Sequence, residues 1–222
     1  MHFDPGLEGL ASRITAAPSK GARRIVALAG APASGKSTLA EALAEHLSAN
    51  GFPARMVPMD GFHLDNLVLS ARGLLSRKGA PETFDLAGFQ TLVRRLSEGG
   101  EVIFPVFDRS REIAIAGAGV VPADCETVIL EGNYLLLDEP GWRDLSTLWD
   151  LSVRVDADLK TLRSRLLDRW SGYGLSFDEA TEKAEGNDIP NAERVLSNAL
   201  PADIVCTTAP AQEQRQAEEA SR

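Results

Sequence analysis

The stretch that most constrains this chain is "GAPASGKST", Gly30 to Thr38, set between an apolar run and a leucine-striped segment. Gly30, Gly35, Lys36 and Ser37 stand at the offsets of a loop that wraps a phosphate chain. Glycines let backbone N–H groups turn inward, and the helix that follows adds the unpaired donors of its first turn. Lys36 is then placed to reach β- and γ-phosphates, and the Ser37 hydroxyl to supply an oxygen to magnesium. Ala31, Pro32, Ala33, Ser34 and Thr38 complete the segment expected to hold ATP.

The surrounding pattern agrees with a parallel sheet. "RRIVALAG" before the loop reads as a buried strand, and Leu39, Leu43 and Leu47 recur at four-residue intervals after it. "ARMVPMDG", "ETVILEG", "DLSVRVD" and "ADIVCT" read as four more strands. The helices "LAGFQTLVRRLSEG", "DLKTLRSRLLDRW" and "AERVLSNAL" are interleaved with them. Alternation of this kind predicts a mainly parallel five-stranded sheet covered on both faces, a three-layer α/β sandwich. Residues 101–125, with a proline, several glycines and short β-like runs, break the rhythm and read as a small β-rich excursion at the ligand-binding edge. The expected organisation is one domain over 1–222, with a core of about 22–208. The first helix and the tail from 209 are expected to be peripheral, and the tail to fray.

Composition narrows the function. At 222 residues, 44% apolar and 25% charged, the chain is an ordinary globular mixture. Its formal charge of -9 disfavours a nucleic-acid partner. Cys125 and Cys206 have no metal-ligand spacing, and no apolar run reaches membrane-spanning length. The N-terminus lacks a basic start followed by an apolar stretch, so no export signal is read there. A cytoplasmic protein without a membrane partner is the expectation.

A phosphate loop does not choose the reaction. The Asn-Lys-x-Asp run by which GTPases read guanine is missing. "LLLDEP" (Leu135 to Pro140) imitates the acidic strand end of a transporter-type ATPase, but "RLSEGG" is a poor copy of the signature that should precede it. Glu131, closing the cleaner strand "TVILEG", is the better metal-side acid, and Asp138 and Glu139 are then loop residues with "EPGW" over the pocket mouth. On the acceptor side, Asp60 in "MDGFHLDN" follows the second strand, where open sheets bind ligands. A carboxylate there can orient and deprotonate an alcohol for in-line attack. His63 is a candidate acceptor contact and Phe62 a packing residue. Arg77, Lys78 and Arg109 are candidates for acceptor or phosphate. Arg165 and Arg169, four apart on one helix face, are suited to clamp a transferring phosphoryl group. Asn187, Asp188 and Asn191 form a dense polar cluster, in which Asn191 is read as a helix cap.

"GAPASGKST", "MDGFH", "RKGAPETFD", "FPVFDRS", "VILEGNYLLL", "EPGW" and "NDIPNAERV" together resemble the P-loop kinase group of pantothenate kinase, uridine kinase and phosphoribulokinase. Within it the chain looks most like kinases labelled nucleoside kinase-like or fructose-transport-system kinase. The resemblance spans roughly Arg24 to Thr207 and implies a P-loop NTPase fold and an ATP- and magnesium-dependent kinase of a small, polar, hydroxyl-bearing metabolite. It implies phosphate and magnesium roles for Lys36 and Ser37, acceptor activation by Asp60, and a metal-side role for Glu131. It also implies an acceptor-side role for Arg109 and a lid role for Arg165 or Arg169. "GFHLDN" departs from the pantothenate kinase segment, and Phe107, Asp108 and Arg109 replace that enzyme's tyrosine-and-histidine stretch. The acceptor stays open among a sugar such as fructose, a nucleoside and a pantothenate-like alcohol, with a non-enzymatic nucleotide-binding module as the rival class. A homodimer is admitted as an assembly.

Overall fold

A computed structural model describes residues 3–208; the tail expected to fray lies outside them. Strands β2 (Arg24–Gly30), β3 (Ala54–Pro58), β6 (Thr127–Gly132), β7 (Leu151–Asp156) and β8 (Ile204–Thr208) form a parallel sheet in the order β8-β7-β2-β6-β3. These are the five strands expected. A sixth, β1 (Phe3–Asp4), pairs antiparallel with β8 and extends the edge, a two-residue strand too short to show in periodicity.

Alternation along β2 splits the core into two layers. Ile25, Ala27 and Ala29 face one cluster with Phe89, Leu92, Val93 and Leu96 of α4 (Leu86–Glu98). Val26 and Leu28 face the other, with Leu39, Leu43 and Leu47 of α2 (Lys36–Ala49). Helix α1 (Leu7–Ala16), expected at the periphery, buries Leu10 and Ile14 in that second cluster and so covers the sheet. Its buried positions are three, Leu10, Ala11 and Ile14. Among the described residues no helix is long and apolar enough to cross a membrane.

The excursion is an antiparallel hairpin, β4 (Val102–Asp108) and β5 (Ile113–Val121). An isolated hairpin is marginal in water, so it needs an anchor. Arg23 supplies one: buried, it donates from Nε to the Cys125 carbonyl (2.8 Å) and from Nη2 to the Pro122 carbonyl (2.7 Å) at the hairpin's exit. At the far side the hairpin leans on a 3-10 turn, Met59–Phe62, that carries Asp60. Gly61 is backed directly onto the Pro105 carbonyl, and a Cβ there would overlap that oxygen. Gly61→Ala is therefore expected to cost about 1–3 kcal/mol, as overpacking against backbone does. Thermal melting checks it, and an unchanged melting temperature would show that turn and hairpin are not pressed together.

Between β3 and α4 lies α3 (Asn66–Ala71), and beyond β7 come α5 (Leu159–Gly172), α6 (Phe177–Lys183) and α7 (Ile189–Ser197). A single π-turn, Ala184–Asp188, joins α6 to α7. Such turns recur at functional sites because they re-aim side chains.

Candidate active site

The loop between β2 and α2 is shaped by two left-handed residues, Ala33 (φ 65°) and Gly35 (φ 94°). Gly30 cannot be larger, since a Cβ would sit 2.7 Å from both Ser34 Oγ and the Val155 carbonyl oxygen. Ser34 Oγ is buried without a hydrogen-bond partner. Arg165 donates from Nη1 to the Ala33 and Ser34 carbonyls (3.3 Å each), bracing the loop from α5.

Lys36 opens α2 and is buried with Glu131, the last acid of β6, Nζ to Oε1 3.5 Å. Ser37 Oγ donates to the same oxygen at 3.0 Å. Burial pushes the Lys36 ammonium down from its ordinary pKa, opposed by Glu131 and Asp60. Burial likewise pushes the Glu131 carboxyl up, opposed by Lys36 and the Ser37 hydroxyl. The pair thus holds opposite charges in an environment that penalises both. A triphosphate fits here: Lys36 and the Ser37 hydroxyl stand at the start of α2, and Ser34 Oγ in the loop has no partner among the described residues. Magnesium fits as well, because it takes one or two protein oxygens and completes its shell with phosphate and water. Ser37 and Glu131 offer such oxygens, and among the described residues no group of three or more His, Cys, Asp or Glu forms a closed metal cage.

Asp60 lies two residues beyond Pro58, the β3 residue registered against Glu131. Its charge is felt at both Lys36 and Glu131. Arg109, at the hairpin tip, donates to Asp60 Oδ2. His63 is stacked between Phe84 (4.1 Å) and Phe107 (4.6 Å), with Nδ1 2.8 Å from the Asp60 carbonyl oxygen. Phe62 packs edge-on against Phe89 in the core. Lys78 crosses the Phe107 ring and donates to Asn66 Oδ1 (2.8 Å) and to the Glu112 carbonyl (2.7 Å), tying α3 to the hairpin.

Burial holds the His63 imidazole below the ordinary histidine pKa, with the Asp60 charge opposing. Below about pH 6.5 the unfolded chain therefore binds more protons at this residue than the folded one. Its stabilising contribution is complete above that pH and falls as pH drops through the folded pKa. NMR titration should give a His63 midpoint below that of a free histidine; a midpoint above it would refute the stacked, neutral ring.

These residues share one cavity of about 1170 Å³, lined by the mutually contacting set Lys36, Ser37 and Glu131 and by a second contacting set, Asp60, His63 and Arg109. Arg169 and Lys78 also line it. Of the expected site residues, Arg77 is not on its wall; Nη2 donates instead to Asn191 Oδ1 at 3.4 Å. Arg165 grips the loop backbone rather than the cavity, and Thr38 faces outward. Asn191 does not cap α7: it is buried inside the helix, because the π-turn runs continuously into it. "EPGW" is not over the mouth. Glu139 pairs with Arg194 (2.6 Å), and Trp142 is buried against Phe84 and Tyr134. "LLLDEP" is no strand: residues 133–136 form a turn, and Leu135, Leu136 and Leu137 are buried in the core.

Sequence reading missed Asn133 and Trp170. Asn133 lines the cavity two residues past Glu131, and its Oδ1 is buried without a partner. Trp170 lines it too and donates from Nε1 to Asp188 Oδ2 at 2.7 Å. Its place after Arg169, four residues past the buried Leu166, was the available signal.

Fold and site define a class, the P-loop phosphotransferases. The phosphoribulokinase / uridine kinase family matches residues 25–210, and the chain belongs to that family. It is 52% identical to a candidate fructose transport system kinase from Silicibacter sp. TM1040, whose crystal structure superposes with a TM-score of 0.87 over 90% of this chain and 98% of that one. The Escherichia coli K12 protein YggC, of uncharacterised function, is 38% identical over 90% of this chain and 84% of its own. A candidate uridine kinase of Schizosaccharomyces pombe is 34% identical over 82% of each chain. The chain is an ATP-dependent phosphotransferase acting on a small polar metabolite.

Proposed function

We propose that Asp60 is the general base of this kinase and that the acceptor is an alcohol, with a sugar such as fructose placed first. The observation that carries the reading is the shared cavity of about 1170 Å³, which Lys36, Ser37, Glu131 and Asp60 all line. When bound, ATP supplies the phosphoryl group, and magnesium neutralises its developing charge. Lys36 holds the phosphates, and Ser37 and Glu131 offer oxygens to the metal. Arg169 approaches the transferring group from α5, while Arg165 keeps the loop in shape. Asp60 takes the acceptor's hydroxyl proton on Oδ1, while Arg109 stays on Oδ2. His63 contributes a fixed, neutral edge beside Asp60, and Lys78 sets the hairpin's distance.

The fructose assignment leans on the Silicibacter relative's description, and a uridine-like nucleoside on that of the yeast relative. A pantothenate-like alcohol is the third acceptor. The reading includes a cytoplasmic, nucleic-acid-free protein of one domain. An ATP-consumption screen against the three acceptor sets, with mass spectrometry of products, tests it. Transfer to a small alcohol is expected. Phosphorylation of protein or oligonucleotide alone, or hydrolysis as fast as any transfer, overturns it.

A further inference from the structure

The charges around the cavity narrow the acceptor beyond its being an alcohol, on the premise of the phosphotransfer reading above. Among the described residues six carboxylates line the cavity, from Asp60, Glu112, Glu131, Glu179, Glu182 and Asp188, against five cationic side chains. Four of those cations are already engaged. Lys36 faces Glu131 at 3.5 Å, Arg109 lies on Asp60, and Lys78 is 3.4 Å from Glu112. Lys183 sits 4.0 Å above the Trp170 ring. Arg169 is the fifth, and its place is beside the transferring phosphoryl group.

The rest of the acceptor end is built from neutral hydrogen-bonding groups. Asn66, Asn133, Asn187 and Asn191 bring carboxamides, and Ser76 and Ser110 bring hydroxyls. The π-turn delivers part of this set: Asn187 donates to the Lys78 carbonyl at 2.7 Å and accepts from Asn191 at 3.3 Å. Asn133 Oδ1, buried and without a partner among the described residues, is open to a donor. A hydroxyl provides one, whereas a carboxylate or phosphate provides none.

We infer that the acceptor is a neutral polyhydroxylated molecule, carrying neither a carboxylate nor a phosphate of its own. An anionic acceptor would add negative charge to a cavity whose fixed charges already lean negative and which must also receive the γ-phosphoryl group. Like charges so juxtaposed are strongly disfavoured.

Pairs in which only the charged member carries a carboxylate, and both keep primary hydroxyls, test this on the full chain: sorbitol with gluconate, uridine with orotidine, and pantothenol with pantothenate. In whichever pair turns over, the neutral member is expected to lead by about tenfold or more in kcat/KM, the scale of a like-charge penalty. A charged member that equals or beats its neutral partner overturns the inference. Glu182→Lys, on the exposed face of α6, is expected to raise the charged-to-neutral ratio, and no change in that ratio counts against it.

A second measurement needs no turnover. Inorganic phosphate is titrated calorimetrically into the protein saturated with magnesium and a non-hydrolysable ATP analogue. No saturable uptake is expected below about 10 mM, weaker than any useful site. Saturable uptake that Arg109→Ala abolishes would show an anion subsite and overturn the inference. If no pair turns over and phosphate does not bind, the absence of an anion subsite stands and the choice of acceptors under the proposed function falls.

Discussion

Replacing Asp60 by asparagine is expected to cut turnover by about 10²-fold or more while ATP affinity stays near wild type, because a positioned general base contributes on that scale. Asparagine keeps the size of the side chain and a carbonyl oxygen for Arg109, so the 3-10 turn and the hairpin contact should survive. What it cannot do is accept the acceptor's proton. Steady-state kinetics and calorimetry with ATP separate the two effects. Glu131→Gln provides the contrast: it touches Ser37 and Lys36 rather than the acceptor end, so its defect should appear as a raised magnesium requirement. If Asp60→Asn keeps more than half of turnover with chemistry limiting, the base lies elsewhere.

Lys36→Ala is expected to weaken ATP binding by about 10²-fold, the upper range for hydrogen bonds to charged groups. The fold should persist, because Glu131 is not stranded as a buried anion. Burial already pushes its carboxyl toward the protonated form, and loss of Lys36 removes the main opposing charge. The carboxyl is then pushed further up and keeps Ser37 Oγ as a partner. The variant should therefore melt cooperatively, with stability falling as pH rises and Glu131 is forced to ionise. Wild-type ATP affinity by calorimetry would remove Lys36 from the phosphate site. Collapse of the melting transition at neutral pH would show that the pair is structural.

What these two variants probe was unequally legible in the sequence. The phosphate loop was readable because its nine residues are contiguous and do their work through local backbone shape, so spacing alone carries the chemistry. Five parallel strands were readable for a similar reason, as apolar runs such as "VALAG" and "TVILEG" alternate with amphipathic helices. Glu131 could be preferred over Asp138 because a strand end is a local property. The two-residue β1 had too few residues to leave a pattern, and α1 had too narrow an apolar stripe to reveal that it covers the sheet.

The sequence by itself thus determined the fold class, the nucleotide loop and the candidate acids on two strands. Only the tertiary structure decided which partners meet. Arg109 reaches Asp60 across 49 residues because Arg23 and Gly61 hold the hairpin against the sheet's edge. Asn191 leaves a cap position for the buried interior because a π-turn fuses two helices, and Arg77 is drawn to it and off the cavity wall. "EPGW" goes to the core because Phe84 and Tyr134 offer Trp142 an aromatic socket. Each of these is a long-range contact whose energy depends on where other elements have already packed, and no local spacing encodes that.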